Sequence, residues 1–215
     1  MPRYLCIYLP WWAADRVRRR LSKQPGFERN LPILLTGRTA GQTVIKRFCP
    51  RAAAAGIREG MSLNLASALA PNAAVVPWDQ LQDFRAMHRL AQTALKFTPL
   101  AAVDDLLIAA YREDALAEAD PICGGLVLDL TGTDRLYGGA EKPAEAVLTG
   151  LARAGFYSKV GAAATIGAAW ALSRYGPKRF NTTANSSIKT ALGALPVEAL
   201  RLNQDTAAAL RQIGI

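Results

Sequence analysis

One histidine, His88, and three cysteines, Cys6, Cys49 and Cys123, are all that the 215 residues offer of the commonest metal ligands and nucleophile partners. A lone imidazole excludes a histidine-based triad and a multi-histidine metal site, leaving carboxylates, lysines and tyrosines as the possible catalytic groups. The cysteines are far apart and show neither zinc-site nor disulfide-framework spacing, so they read as buried thiols of a reducing cytosol. No apolar run approaches the roughly 20 residues of a membrane span. The apolar N-terminal stretch is broken by Pro10 and followed by Arg16, Arg18, Arg19 and Arg20, which is not the pattern of a signal peptide. Disorder is excluded as well, because a chain that is 51% hydrophobic and 20% charged collapses in water. Acids are scarce relative to bases. Seventeen against 26 leave a net charge of +9, which favours a polyanion such as nucleic acid or an anionic membrane surface.

What is present reads as an α+β chain long enough for one large domain or two small ones. The continuous apolar run Tyr4 to Leu9 predicts a central, buried strand, and Trp11 to Leu21 a basic amphipathic helix ended by Pro25 and Gly26. Leu31 to Leu35 and Thr43 to Ile45 predict two strands of a hairpin joined through Gly37 to Gly41. Two short helices, 50–55 and 63–69, precede a brief strand at 74–76. The longest helix, 79–98, carries Leu81, Phe84, Met87, His88, Leu90, Ala91, Ala94 and Leu95 at helical spacing, with His88 as a packed or partly exposed imidazole. Strands at 106–110 and 126–130 flank an acidic surface turn and take the first strand as their partner. A helix at 141–154, with Pro143 in its first turn, and a strand at 158–162 complete a β-α-β-β-α-β order. From Thr165 the pattern turns all-helical, with a polar segment at 181–187 and short helices at 196–200 and 205–213.

This order, together with three worded segments, resembles the palm, fingers and thumb of Y-family translesion DNA polymerases, and within them the ImuB-like proteins. The segments are Leu9-Pro10 before a basic helix, Leu128-Asp129-Leu130-Thr131-Gly132 running into Leu136-Tyr137-Gly138-Gly139, and Ala168-Ala169-Trp170-Ala171-Leu172-Ser173-Arg174-Tyr175-Gly176. The resemblance implies a ferredoxin-like mixed palm sheet over 1–40 and 78–164, a small fingers insertion over 41–77, and a helical thumb over 165–215 with a degenerate helix-hairpin-helix.

It also says where chemistry would sit. Active relatives anchor two divalent ions with carboxylates on the first strand and in the later palm hairpin, as hard cations require. Those positions fall here on Leu9 and Trp11, and on Gly124 and Gly125, none of them charged. The triphosphate-gripping positions of the fingers fall near Pro50 and Ala53, with Arg51 close by, and the lysine after the last palm strand falls near Ile166. Asp104, Asp105 and Asp129 are the acids near the palm strands. They are either relocated ligands, or a turn (Asp104-Asp105) and a solvent-side or capping residue (Asp129). Trp11 and Trp12 either stack on a base or fill the space of ions and nucleotide. Arg16, Arg18, Arg19 and Arg20 are candidate phosphate contacts or an ordinary solvated face. Arg201 stands in the turn Arg201-Leu202-Asn203, where the family's Gly-x-Gly meets a phosphate, so it is a further candidate nucleic-acid contact.

The resemblance therefore implies a chain without cofactor or metal, a catalytically silent scaffold of bacterial SOS mutagenesis in the cytoplasm at the nucleoid. Its implied partners are an ImuA-type RecA-like protein, an error-prone replicative-type DNA polymerase, and the sliding clamp through a region beyond these residues. The family continues into a little-finger domain, so the chain is expected to be truncated before it. Two alternatives stay open: an active lesion-bypass polymerase using displaced carboxylates, and a basic DNA-binding module.

Overall fold

The computed structural model describes residues 2–104, 124–202 and 204–214. Two compact units emerge, one of Met1–Leu9, His88–Arg153 and Ser158–Ile215, the other of Pro10–Met87 and Ala154–Tyr157.

The first unit is built on a five-stranded sheet in the order β5-β6-β1-β7-β8. Strand β1 (Tyr4–Tyr8) lies at its centre, and Leu5, Cys6 and Ile7 are all buried, as a strand apolar on both faces demands. It runs antiparallel to β6 (Gly125–Asp129) and to β7 (Lys159–Ala163). Strand β5 (Leu100–Val103) pairs antiparallel with β6, and β8 (Phe180–Thr182) pairs parallel with β7.

The second unit holds a three-stranded sheet in the order β3-β2-β4. Strands β2 (Ile33–Thr39) and β3 (Gln42–Phe48) form the expected hairpin, and β4 (Ala74–Pro77) lies parallel to β2. The residues between β2 and β3, Ala40 and Gly41, both have positive φ, 48° and 79°. A tight turn with both central residues in the left-handed region matches the twist of paired strands. The hairpin thus ties β2 to β3. Helix α1 (Trp12–Leu21) packs on β2 and β3, burying Trp12, Ala13, Ala14 and Asp15 and placing Arg18, Arg19 and Arg20 in its last turn, where the helix dipole favours cations. Helix α2 (Pro50–Ala54) starts on a proline whose missing N–H is no loss there, and α3 (Leu63–Leu69) on Ser62, whose hydroxyl accepts from the Leu65 N–H.

Helix α4 (Gln80–Ala94) buries Met87, Ala91 and Ala94 and leaves Leu81 and His88 exposed, as is Leu95 just after it. After it come α5 (Asp134–Tyr137), α6 (Glu141–Arg153), α7 (Ile166–Tyr175), α8 (Ile188–Gly193) and α9 (Gln204–Gln212). Helix α7 packs against β7 and β1, with Cys6, Ala163 and Ala168 to Leu172 forming one buried cluster. The approach is close: a side chain at Gly161 would stand 2.1 Å from the Ala169 carbonyl oxygen and 2.4 Å from the Ser173 nitrogen.

The contact units divide the chain on their own lines. Residues 1–40 do not share one unit, since the hairpin holds β2 in the three-stranded sheet and the division falls after Leu9. Nor does the sheet unit stop at 164, because α7 covers β1 and β7 and β8 joins the same sheet. The strand expected at 106–110 and the acidic turn, with Asp105 and Cys123, lie outside the described residues. Cys6 and Cys49 are buried free thiols, and burial pushes Cys6 up to about 12. Among the described residues no helix is long and apolar enough to cross a membrane.

Candidate functional site

The end of the five-stranded sheet where β1 leaves for Pro10 gathers three of the four positions, Leu9, Gly124 and Gly125, on which the resemblance was expected to place acids. Leu9 is fully buried, and its N–H donates to the Gly124 carbonyl at 2.7 Å. Gly124 has φ +105°, and an ideal Cβ there would lie 2.3 Å from the Leu9 carbonyl oxygen. Gly125 stands opposite Tyr8 in the β1–β6 ladder. Trp11, in the other unit, is half-buried with its ring 6.0 Å from that of Phe48.

Asp104 belongs to this sheet end. It directly follows β5, its N–H donates to the Gly125 carbonyl at 3.0 Å, and it is 3% exposed. It is therefore a buried residue. Its Oδ2 accepts from Arg174 Nη2 at 2.6 Å and from Trp170 Nε1 at 2.9 Å. Both residues project from α7 one turn apart. The Arg174 guanidinium lies 4.6 Å from the Tyr8 ring centroid and 4.3 Å from that of Trp170, and its Nη1 donates to Ser173 Oγ. Burial pushes this guanidinium down from its usual range, and the facing Asp104 carboxylate works against that. Lys159, beside Tyr8 on β7, donates to the carbonyls of Arg174 and Gly176 at 3.0 and 2.7 Å, satisfying the end of α7, and burial lowers its pKa.

Arg201 joins the same group. It adopts a left-handed backbone, φ 60° and ψ 31°, at the turn expected to carry glycines. Its Nη2 lies 3.7 Å from Asp104 Oδ1, and its guanidinium 5.1 Å from the Trp170 ring. Asp129 is elsewhere. It pairs with Tyr4 at the far end of β6, about 13 Å along the strand from Gly125, and its Oδ1 caps the Thr131 N–H at 2.8 Å. Asp104 and Asp129 are too distant to share an ion.

These residues do not fit a pair of divalent ions. Magnesium takes several oxygen ligands in near-octahedral array, whereas Leu9, Gly124 and Gly125 bring no side-chain oxygen and Asp104 is already bound by a guanidinium. Among the described residues no three His, Cys, Asp or Glu side chains come together in a metal-holding group. Of the positions where the resemblance implies triphosphate contacts, Pro50 opens α2 and is exposed, Ala53 is half-buried with Arg51 exposed nearby, and Ile166 opens α7 at 41% exposure.

The basic helix divides. Arg16 forms an ion pair with Asp83, whose other oxygen accepts from Trp78 Nε1 at 2.6 Å. Arg18 donates to the backbone carbonyls of Arg29 and Leu31. Arg19 lies 5.0 Å over the Phe156 ring, and Arg19 and Arg20 are exposed. Trp12 is buried, stacked on Phe156 at 4.9 Å, with Nε1 donating to the Asp83 carbonyl at 3.1 Å. That is packing, not a platform open to a base. Asp15, also buried, accepts from the Tyr157 N–H at 3.1 Å.

Comparison with known proteins covers both units. The chain is 32% identical over 160 residues to Protein ImuB of Caulobacter vibrioides, in strain NA1000 / CB15N and in strain ATCC 19089 / CIP 103742 / CB 15. The match takes in 74% of this chain and 31% of the relative, so the chain spans less than half the length of the curated proteins it matches. Its fold superposes on Dbh DNA polymerase in a post-insertion binary complex with a TM-score of 0.72 at 15% identity, over 99% of this chain and 57% of that one. DinB from Sulfolobus solfataricus gives 0.70 at 16% identity, over 99% and 57%. The fold is thus that of Y-family polymerases, and, with the impB/mucB/samB family model matching residues 16–174, the chain belongs to that family.

Proposed function

We propose that this chain is a non-catalytic, polymerase-like scaffold of bacterial DNA-damage-induced mutagenesis. Likeness to ImuB over 74% of the chain supports the role in mutagenesis. One observation carries the non-catalytic half: the carboxylate at the sheet end, Asp104, is buried against Arg174, while a side chain at Gly124 would meet the Leu9 backbone and one at Gly125 the ion pair itself. A polymerase fold without an ion clamp keeps its surfaces, and surfaces suffice for assembly. In this reading the chain brings together an ImuA-type RecA-like protein and an error-prone replicative-type polymerase in the cytoplasm. The sliding clamp belongs to the same assembly, and nucleotide joining belongs to the partner polymerase.

Primer extension tests the reading. With a primed template, all four deoxynucleotides and either Mg²⁺ or Mn²⁺, the expected result is no incorporation at stoichiometric enzyme. Extension that disappears in Asp104→Asn would establish the rival, a working lesion-bypass enzyme. For the scaffold itself, pulldown from damage-induced cells should recover a RecA-like protein and a replicative-type polymerase in fixed proportion.

A further inference from the structure

Asp104 has its counter-charge supplied by the chain. The side chains of Asp104 and Arg174 are 4% and 5% exposed, and they meet at 2.6 Å. The guanidinium lies against the rings of Tyr8, from β1, and Trp170, from its own helix, while Ser173 Oγ takes a third contact. Trp170 Nε1 holds the same carboxylate oxygen. The room for this arrangement comes from Gly125, where an added Cβ would stand 2.8 Å from Arg174 Nη2 and 2.9 Å from Asp104 Oδ2. A planar, permanently charged group with several donors suits a buried carboxylate better than a hydrated ion that must keep its own water shell.

We infer that Arg174 is the resident cation of this site: a guanidinium delivered by α7 takes, at Asp104, the place of a divalent ion, and it fastens α7 to the sheet end. Arg201, 28% exposed and 3.7 Å from the other carboxylate oxygen, is an outer, weaker member. The inference deepens the non-catalytic reading by naming what occupies the ion's place, yet its test involves no nucleotide chemistry.

The test is a double-mutant cycle on the whole 215-residue chain, using D104N, R174M and the double variant, with unfolding in urea followed by circular dichroism. Each single change leaves a buried charge alone and should lower the folding equilibrium constant at least a hundredfold. The double variant should fall at least tenfold less than the product of the two. R174K, which keeps the charge, should fold and be less destabilised than R174M. Millimolar MnCl₂ should leave the wild-type midpoint unchanged. Coupling below tenfold overturns the inference, as does a Mn²⁺-induced rise in the wild-type midpoint that D104N abolishes. If R174M does not fold, the double variant decides: a recovered cooperative transition supports the inference, and none refutes it. Incorporation in primer extension would instead remove the non-catalytic reading and leave the coupling result standing.

Discussion

Asp15 shows how one side chain sets a pH dependence. Burial raises its pKa from 3.8 to about 6, against the opposing pull of the Tyr157 N–H and of Arg18. The folded state therefore holds a proton that the unfolded chain has released between about pH 4 and 6, and stability falls as pH rises through that window. Above it the buried carboxylate costs on the order of 2–3 kcal/mol. Asp15→Asn keeps an acceptor for Tyr157 and removes the ionisation. Urea unfolding should show the variant more stable than wild type at pH 8 and level with it at pH 4. Equal stabilities at both pH values would refute the assignment. At this scale the sequence was informative about types but not about partners. Leu9, Gly124 and Gly125 could be named from the resemblance, whereas the pairing of Asp104 with Arg174, 70 residues on, depends on chain reversal. The available signal was an arginine four residues after Trp170, in a helix otherwise buried from Ala168 to Ser173.

Among elements, the seat of α7 on β7 is the most sensitive to a single atom. Gly161→Ala would press a methyl group into the backbone of Ala169 and Ser173, which cannot yield without moving the helix, and should cost at least about 1–3 kcal/mol. Gly150, inside α6 with nothing within 4 Å of its Cβ position, is the contrasting site. Alanine there should stabilise by up to about 1 kcal/mol. Thermal melts of the two variants, moving in opposite directions, would check the account. Elements with strong periodicity were legible within a few residues, as α1, α3, α6 and α7 show. Strand β8 was not. Its middle residue, Asn181, is buried because its amide donates to the carbonyls of Leu172 and Lys178, so no apolar alternation marks it. Strand β5 is only four residues long, with Leu100 exposed, and it falls in the gap between the helix expected to end at 98 and the strand expected at 106–110. Strand β2 was recognised together with its hairpin partner, but its sheet is decided by the Ala40-Gly41 turn and by β4, not by the strand's own composition.

Over the whole molecule the positive charge is unevenly shared. The unit of Pro10–Met87 and Ala154–Tyr157 holds twelve of the 26 lysines and arginines but five of the 17 acids, and so carries seven of the nine net charges. Two of its cations, Arg16 and Arg47, are paired with Asp83 and Glu59. If this excess meets phosphates, retention of single-stranded DNA should fall steeply with KCl. Changing the exposed Arg19 and Arg20 to glutamine should then lower the log–log salt slope by roughly 0.7 for each phosphate no longer neutralised. An unchanged slope would assign those two arginines to the solvated surface.

The left-handed Gly124, lodged against the Leu9 carbonyl, limits what a single replacement can install beside it. A single acid at 124 would meet the Leu9 backbone, and one at 125 would meet the Asp104–Arg174 pair. A carboxylate brought to this sheet end therefore needs a second replacement beside it that makes room.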